Sequence, residues 1–227
     1  TLAAKGAQVF IGHEAKNVQG ADVVVYSTAC GEDNVERQAA KALNIPVLHR
    51  SQMLARLMNE KTGIAVAGAH GKTTTSSMIA LVMELNDLDP TYIIGGEIMN
   101  VGSNAKAGKG NFVVAEADES DGSFLQYHPS MALVTNIEAD HLENYGGDFN
   151  NLLQAYSQFL SQVKEDGHAI LCADDPYLQT MMKEVKGQLI TYGIEQQADY
   201  MAKNIQLGDR KARFTVAHHG RELGEIE

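Results

Sequence analysis

The sequence predicts an α/β fold in two parts, with a mostly parallel sheet and a small antiparallel hairpin near the end. Apolar, β-branched segments of strand length alternate with segments of helical periodicity, which is the pattern of a parallel sheet covered by helices. After Gly193 this alternation stops, and two apolar segments, 201–207 and 212–218, flank a short polar turn. The second pattern predicts the hairpin.

The first part is a small α/β unit over residues 1–60. Strands are predicted at 23–27 and 45–48, and helices at 35–43 and 51–59. The chain opens on what looks like the tail of a helix, so we expect the strand and turn that normally open such a unit to be missing. We therefore predict a partial Rossmann-like N-terminal domain.

The second part, residues 61–227, carries most of the sheet. Its predicted strands before the hairpin are 64–67, 92–94, 112–116, 132–135, 169–172 and 189–192. Long amphipathic helices are predicted at 73–85 and 148–163, and Asp148 is placed to cap the second of them.

A glycine-rich turn that ends in a lysine joins the strand at 64–67 to the helix at 73–85. Such a loop aims free backbone N–H groups and the positive end of the helix dipole at an anion. Its lysine can neutralise phosphate charge, and the hydroxyl of Thr73 can bind Mg²⁺. The sequence therefore predicts a P-loop-type central ATPase domain for ATP or GTP. The predicted nucleotide-binding residues are Gly68, Ala69, His70, Gly71, Lys72, Thr73 and Thr74.

This loop departs from the general pattern G-x-x-x-x-G-K-[ST], because Val66 stands where that pattern has its first glycine. The alternative is that Gly68 and Gly71 only form a tight turn and that Lys72 is solvated. We favour phosphate binding, because the lysine and the strand-to-helix context agree with each other.

Four carboxylates, Glu116, Asp118, Glu119 and Asp121, lie at the end of the strand predicted at 112–116. In a parallel sheet this end faces the ligand, and carboxylates there are suitable ligands for the Mg²⁺ that accompanies ATP. The alternative is a solvated acidic turn. Glu116 lies inside the apolar run, where an unpaired charge would be costly, and it is the predicted metal ligand.

Two further polar segments are candidates for ligand or substrate binding. Asn136, Asp140 and His141 follow the strand predicted at 132–135 and are expected to face the same crevice. A glycine-rich stretch, 94–97 followed by 102–104, is read as a loop that admits a substrate, or equally as a plain flexible loop.

The composition limits the classes of partner. The net charge is −11 with no cluster of basic residues, which argues against broad nucleic-acid binding. No apolar run approaches the about 20 residues that span a bilayer, and the first residues do not form a signal peptide. We expect a cytoplasmic protein with no membrane or nucleic-acid partner, and the sequence leaves the oligomeric state open.

Three segments, GAHGKTT at 68–74, EADESD at 116–121 and NIEADH at 136–141, resemble in order and spacing the ATP-dependent Mur ligases of bacterial peptidoglycan synthesis. The shifted glycine of the loop is typical of that family. The later two segments resemble those of the members that join L-alanine to UDP-N-acetylmuramate. The resemblance covers essentially the whole chain.

The resemblance implies a two-step ligation that uses ATP and Mg²⁺. ATP phosphorylates the carboxylate of UDP-N-acetylmuramate, and the amine of L-alanine then displaces phosphate to form an amide. The implied roles are catalysis by Lys72, His70 and His141, metal binding by Thr73, Glu116 and His141, and substrate binding by Asn104, Glu119 and Ser120.

The chain also departs from the family pattern. The resemblance implies three domains, of which the C-terminal amino-acid-binding domain is absent here, so the chain alone is not expected to turn over. Ala69 replaces a threonine, with little consequence expected because no phosphate-facing amide is lost. Tyr156 stands where several later-acting relatives carry a modified lysine, which favours an alanine-adding member.

Two other interpretations stay open. A ligase that attaches a peptide to UDP-N-acetylmuramate, or a folate polyglutamylating ligase, is disfavoured because no insertion separates the segment after Ser120 from the strand before Asn136. A non-enzymatic nucleotide switch is disfavoured because such a module needs less metal machinery than the cluster around Glu116.

Overall fold

A computed structural model describes residues 2–98, 103–120, 122–209 and 211–227. The chain divides into two compact units, Thr1–Arg56 and Leu57–Glu227. In chain order the strands are β1 (Val24–Tyr26), β2 (Val47–His49), β3 (Thr62–Ala67), β4 (Thr91–Ile98), β5 (Ser103–Lys106), β6 (Phe112–Glu116), β7 (Met131–Val134), β8 (His168–Cys172), β9 (Gln188–Gly193), β10 (Tyr200–Gly208), β11 (Lys211–His218) and β12 (Arg221–Ile226). The α-helices are α1 (Val35–Ala42), α2 (Arg50–Glu60), α3 (Lys72–Leu85), α4 (Phe149–Ser161) and α5 (Pro176–Met181).

In the first unit, β1 and β2 pair in parallel, and α1 connects them. The Asn34 side chain caps α1 by accepting hydrogen bonds from two backbone N–H groups of its first turn. The Arg37 guanidinium lies 3.7 Å from the ring centroid of Tyr26 and donates a hydrogen bond of 2.6 Å to the Cys30 carbonyl. The predicted strand–helix–strand order of this unit is confirmed.

The second unit is built on a ten-stranded sheet with the order β12-β11-β10-β9-β8-β7-β3-β6-β4-β5. All neighbouring pairs from β10 to β4 are parallel, and the antiparallel pairs lie at the two ends of the sheet. The predicted fold class, a mostly parallel sheet with an antiparallel hairpin, is confirmed. Because β3 lies between β6 and β7, the loops that follow these three strands meet at one edge of the sheet.

Both faces of this sheet are packed. β3 is buried almost throughout, as expected of a central parallel strand, and Ile64 joins Val114, Tyr92 and two side chains of α3 in one apolar cluster. The buried residues of α4 recur at helical spacing. One of them, Phe159, has its ring centroid 5.1 Å from that of Phe124. Within the described ranges, no helix combines the length and the apolar character needed to cross a bilayer.

The structure corrects the prediction of a glycine-rich loop at 94–97 and 102–104. Residues 94–97 belong to β4 and 103–104 to β5, while Gly102 lies outside the described residues. The glycines of β4 allow close approach: a Cβ at Gly96 would lie 2.8 Å from Cγ2 of Thr73, and one at Gly95 would lie 3.1 Å from Oε2 of Glu116. These glycines therefore allow Thr73 and Glu116 to pack closely against β4, and they do not indicate a loop.

The hairpin is also larger than predicted. β12 pairs antiparallel with β11 and extends the two predicted strands into a three-stranded meander. Every residue of β12 is exposed, so this strand lacks the alternation of apolar and polar residues by which a sequence reveals a strand.

Candidate functional site

The loop between β3 and α3 is an open helix N-terminus. Gly71 has φ 85° and takes the N-cap position of α3, and no side chain caps the helix. The first N–H groups of a helix have no partner within it, so this turn can receive an anion. Gly68 has φ 129°, and a Cβ there would lie 2.1 Å from Oγ1 of Thr135. The loop therefore needs glycine at 68 for both its conformation and its space.

The segment that follows β7 holds this loop in place. The side chain of Asn136 accepts a hydrogen bond from the His70 N–H at 2.9 Å and donates one to the His70 carbonyl at 3.0 Å. The Thr135 hydroxyl donates to the same carbonyl at 2.6 Å. The His70 side chain is 66% exposed and has Nε2 3.4 Å from Oε2 of Glu138. The main chain of His70 is thus fixed, while its imidazole faces solvent.

Lys72 is held by a buried carboxylate. Its Nζ lies 2.9 Å from each carboxylate oxygen of Glu119 and 2.6 Å from the Gly68 carbonyl. The Lys72 side chain is 16% exposed and that of Glu119 only 3%. The ammonium therefore lies inside the loop. It is neutralised there by the acidic segment, residues 117–120, which follows β6.

Thr73 and Glu116 approach adjacent glycines of β4, Gly96 and Gly95 respectively. Oε1 of Glu116 accepts a hydrogen bond of 2.7 Å from the Gly95 N–H, and Gly96 abuts the methyl group of Thr73. A hydroxyl and a carboxylate are hard oxygen ligands, and Mg²⁺ bound with a nucleotide takes its other ligands from phosphate and water. The donor chemistry of the two residues therefore suits that ion as part of a ligand set. Among the described residues, no group of three or more His, Cys, Asp or Glu is placed to hold a metal by itself.

His141 lies at a sharp turn after β7. Its backbone has φ 53°, and its side chain is 46% exposed, with Nδ1 3.7 Å from Oε1 of Glu143. The 3₁₀ turn that follows, Leu142–Tyr145, is tied to the acidic segment, because Tyr145 donates its hydroxyl hydrogen to the Glu119 carbonyl and Asn144 donates to the Ser120 carbonyl. The three loops therefore form one hydrogen-bonded site.

Comparison with known families agrees with this arrangement. Residues 66–227 match the Mur ligase middle domain, and residues 1–62 match the domain described as "Mur ligase family, catalytic domain". The chain belongs to the Mur ligase family.

Similar curated proteins carry one name. A protein of Symbiobacterium thermophilum named UDP-N-acetylmuramate--L-alanine ligase is 48% identical over 99% of this chain and 48% of its own length. Its namesake in Burkholderia multivorans is 46% identical over 97% of this chain and 47% of its own length. The chain spans about half the length of the curated relatives it matches.

Solved structures of the family are also similar. The UDP-N-acetylmuramate-alanine ligase of Thermotoga maritima has a TM-score of 0.77 at 28% identity, with 99% of this chain and 50% of that chain covered. The UDP-N-acetylmuramate:L-alanyl-gamma-D-glutamyl-meso-diaminopimelate ligase of Neisseria meningitides has a TM-score of 0.80 at 26% identity, with 99% and 74% covered.

In this Mur ligase chain, most of the predicted site residues lie on the three loops that meet at the sheet edge. These are the nucleotide-binding residues 68–74 after β3, Glu116, Glu119 and Ser120 at the end of β6, and His141 after β7. Asn104 instead lies exposed on the edge strand β5. The individual roles of all these residues stay predictions.

Several supporting residues of the Mur ligase site were not predicted. Thr135 and Tyr145 hold the loops together, and Asp175 links the segment after β7 to α5. Oδ2 of Asp175 accepts from the Ile137 N–H at 2.9 Å, while Oδ1 caps α5. The position of Asp175 before Pro176 marks a helix cap in the sequence, but its contact with Ile137 is a tertiary one that no local pattern encodes.

Tyr156 is a buried residue of α4 within electrostatic reach of Glu119. The residue is 1% exposed, and its hydroxyl has no hydrogen-bond partner among the described residues. Burial, and then the negative charge of Glu119, raise the pKa of this hydroxyl far above its ordinary value, so Tyr156 keeps its proton.

Proposed function

We propose that this chain is the nucleotide-binding part of a ligase that joins L-alanine to the carboxylate of UDP-N-acetylmuramate in peptidoglycan synthesis. The observation that carries the proposal is the identity of 46–48%, over nearly the whole chain, to relatives that bear that ligase's name. The phosphate-binding geometry around Lys72 supports ATP as the second substrate. A cytoplasmic location follows from the proposal, because ATP and nucleotide-linked sugars are held there.

The proposed reaction has two steps. A carboxylate oxygen of UDP-N-acetylmuramate attacks the γ-phosphorus of ATP, the bond to the β-phosphate oxygen breaks, and ADP leaves. The amine of L-alanine then attacks the acyl carbon, the bond from that carbon to the phosphate oxygen breaks, and the amine loses a proton as the amide forms. Both steps bring anions together, so positioning and charge neutralisation are what the protein must supply.

Each loop of the site has a proposed part in this chemistry. The open N-terminus of α3 receives the phosphates, and Lys72 neutralises their charge. Thr73, Glu116 and His141 would hold Mg²⁺, which when bound withdraws charge from the phosphate oxygens. The exposed His70 imidazole faces the transferring phosphoryl group or the carboxylate. The family resemblance assigns Asn104, Glu119 and Ser120 to the substrate side, but the carboxylate of Glu119 contacts Lys72.

The test is phosphate release by the whole enzyme with Mg-ATP and UDP-N-acetylmuramate, measured with and without L-alanine. Release should require both substrates. Lys72→Ala should lower the rate by about 100- to 1,000-fold, as loss of one preorganised donor to a transition-state anion does. Lys186→Ala is the matched control, since it removes an exposed lysine beyond α5 and should leave the rate unchanged.

Other results would separate the alternatives. Release that needs an L-alanyl peptide instead of L-alanine would identify a peptide-attaching ligase. Release without any amine would indicate a nucleotide hydrolase. ATP binding with no release under any of these conditions would favour a nucleotide switch.

A further inference from the structure

The Lys72 ammonium is already engaged by two groups of the protein. An ammonium carries three N–H donors. Three oxygen atoms lie within hydrogen-bond distance of Nζ: the Gly68 carbonyl at 2.6 Å and the two Glu119 oxygens at 2.9 Å each. Glu119 already neutralises this ammonium, so a phosphate group that binds Lys72 competes with the carboxylate for its charge.

Glu119 is held firmly on its own side of the contact. Its carbonyl accepts hydrogen bonds from the Tyr145 hydroxyl and from the Gly122 N–H, the latter at 3.0 Å. The whole residue is 2% exposed. A carboxylate that is fixed and shielded from water attracts a cation more strongly than one on the surface does. The contact with Lys72 is therefore a built feature and not a chance surface ion pair.

We propose that Glu119 is a positioning residue that acts through Lys72, holding the ammonium until a phosphate group of the nucleotide displaces its carboxylate. The inference rests on the proposed nucleotide-binding function and assigns Glu119 a role different from the substrate contact given above. In this arrangement two anions, Glu119 and the phosphate, compete for one ammonium.

The competition has a signature that other roles of Glu119 lack. Replacing the carboxylate with an amide removes a negative charge beside the phosphate site, so nucleotide binding should become tighter. A purely structural role would make binding weaker or leave it unchanged. A role in binding UDP-N-acetylmuramate would raise the KM for that substrate and leave ATP affinity alone.

The experiment compares the wild-type whole enzyme with Glu119→Gln, using calorimetric titration with Mg-ATP. The Kd for Mg-ATP should fall by about three- to tenfold in the variant. In steady-state assays the KM for ATP should fall while the KM for UDP-N-acetylmuramate stays the same. Glu165→Gln is the matched control: it removes one exposed carboxylate just before the amino end of β8, opposite the loop edge, and should leave the Kd unchanged.

A folded Glu119→Gln enzyme that binds Mg-ATP no more tightly than wild type would overturn the inference while leaving the proposed function intact. If the wild-type enzyme does not bind Mg-ATP at all, both fail together. Should the variant not fold, a crystal structure of the wild-type enzyme with a non-hydrolysable Mg-ATP analogue decides the matter. At least one contact of Lys72 to Glu119 must then be replaced by a phosphate oxygen, and retention of both would refute the competition.

Discussion

Asn136 and His70 are joined by two hydrogen bonds that run in opposite directions. Oδ1 of Asn136 accepts from the His70 N–H at 2.9 Å, and Nδ2 donates to the His70 carbonyl at 3.0 Å. One side chain thus satisfies both main-chain hydrogen-bonding groups of a residue in the middle of the loop between β3 and α3. This pairing fixes the loop after β3 to the loop after β7. It uses only main-chain groups of the loop after β3.

Asn136→Asp should weaken nucleotide binding. Aspartate keeps an acceptor for the His70 N–H but places a second oxygen against the His70 carbonyl, and it adds a negative charge beside the phosphates. We expect the Kd for Mg-ATP to rise by at least about tenfold, measured by calorimetric titration. Asn150→Ala, an exposed asparagine in the first turn of α4, is the control and should bind as wild type does. Unchanged affinity in Asn136→Asp would mean that the pairing does not hold the loop.

Gly68→Ala should destabilise the protein and abolish nucleotide binding. The new Cβ would lie 2.1 Å from Oγ1 of Thr135 and 3.0 Å from the Asn136 carbonyl, at φ 129°. Gly147→Ala is a control for the backbone cost alone, because Gly147 has φ 76° and no atom within 4 Å of its Cβ position. Urea unfolding should give a loss of about 1–2 kcal/mol for Gly147→Ala and a larger loss for Gly68→Ala. Equal losses would contradict the steric argument.

The sequence predicted most of the strands and the three loops, because both depend on local patterns. A buried parallel strand such as β3 is a continuous apolar run, and a strand-to-helix turn with Gly68, Gly71 and Lys72 is a local motif. The partner of Lys72 could not be predicted in the same way. Glu119 lies 47 positions further along the chain, and no local pattern distinguishes it from the neighbouring carboxylates as a partner of Lys72; the pairing of β6 with β3 brings the two residues together.

Two features of the fold, the glycine-rich part of β4 and the strand β12, were not predicted correctly. The local sequence around Gly95 and Gly96 indicates a loop, but both residues lie in β4. Glycine is needed there because Glu116 and Thr73 pack against the strand. β12 escaped prediction because it buries no residue; it is held by backbone pairing with β11 and by an exposed ion pair between Glu225 and Arg213. In both cases a tertiary contact overrode the local pattern.

Tyr156→Phe should leave the free energy of unfolding unchanged or raise it by about 1 kcal/mol. The hydroxyl is buried without a partner among the described residues, and a buried polar group without a hydrogen bond costs stability that the phenylalanine ring does not incur. Urea unfolding of the two proteins at pH 7 measures the difference. Tyr145→Phe is an informative comparison, since it removes a hydroxyl that donates to the Glu119 carbonyl and should be destabilising. A loss of more than about 1 kcal/mol in Tyr156→Phe would show that the Tyr156 hydroxyl has a partner in solution.

Asp174 should make stability depend on pH in the acid range. Burial raises the pKa of this carboxyl, but N–H groups of Gln196, Ile194 and Glu195 donate hydrogen bonds to it and together hold the pKa below its ordinary value of 3.8. A carboxyl with a lowered pKa in the folded state stabilises the fold above its ordinary pKa, and this contribution disappears as the pH falls through the folded-state value. The lowered pKa of Asp174 therefore predicts a loss of stability as the pH falls into the acid range and no loss as the pH rises.

Asp174→Asn measures this contribution, because the amide offers one acceptor in place of two and carries no charge. At pH 7 the variant should lose about 1.5–3 kcal/mol of unfolding free energy, the range for hydrogen bonds to a charged group. The gap between the variant and wild type should narrow as the pH falls below 3.8, because protonation of the carboxyl then favours the unfolded state. Asp166→Asn, at an exposed site before β8, controls for the removal of one negative charge and should follow wild type at every pH. A gap that stays constant with pH would mean that the loss comes from side-chain shape and not from the charge of Asp174.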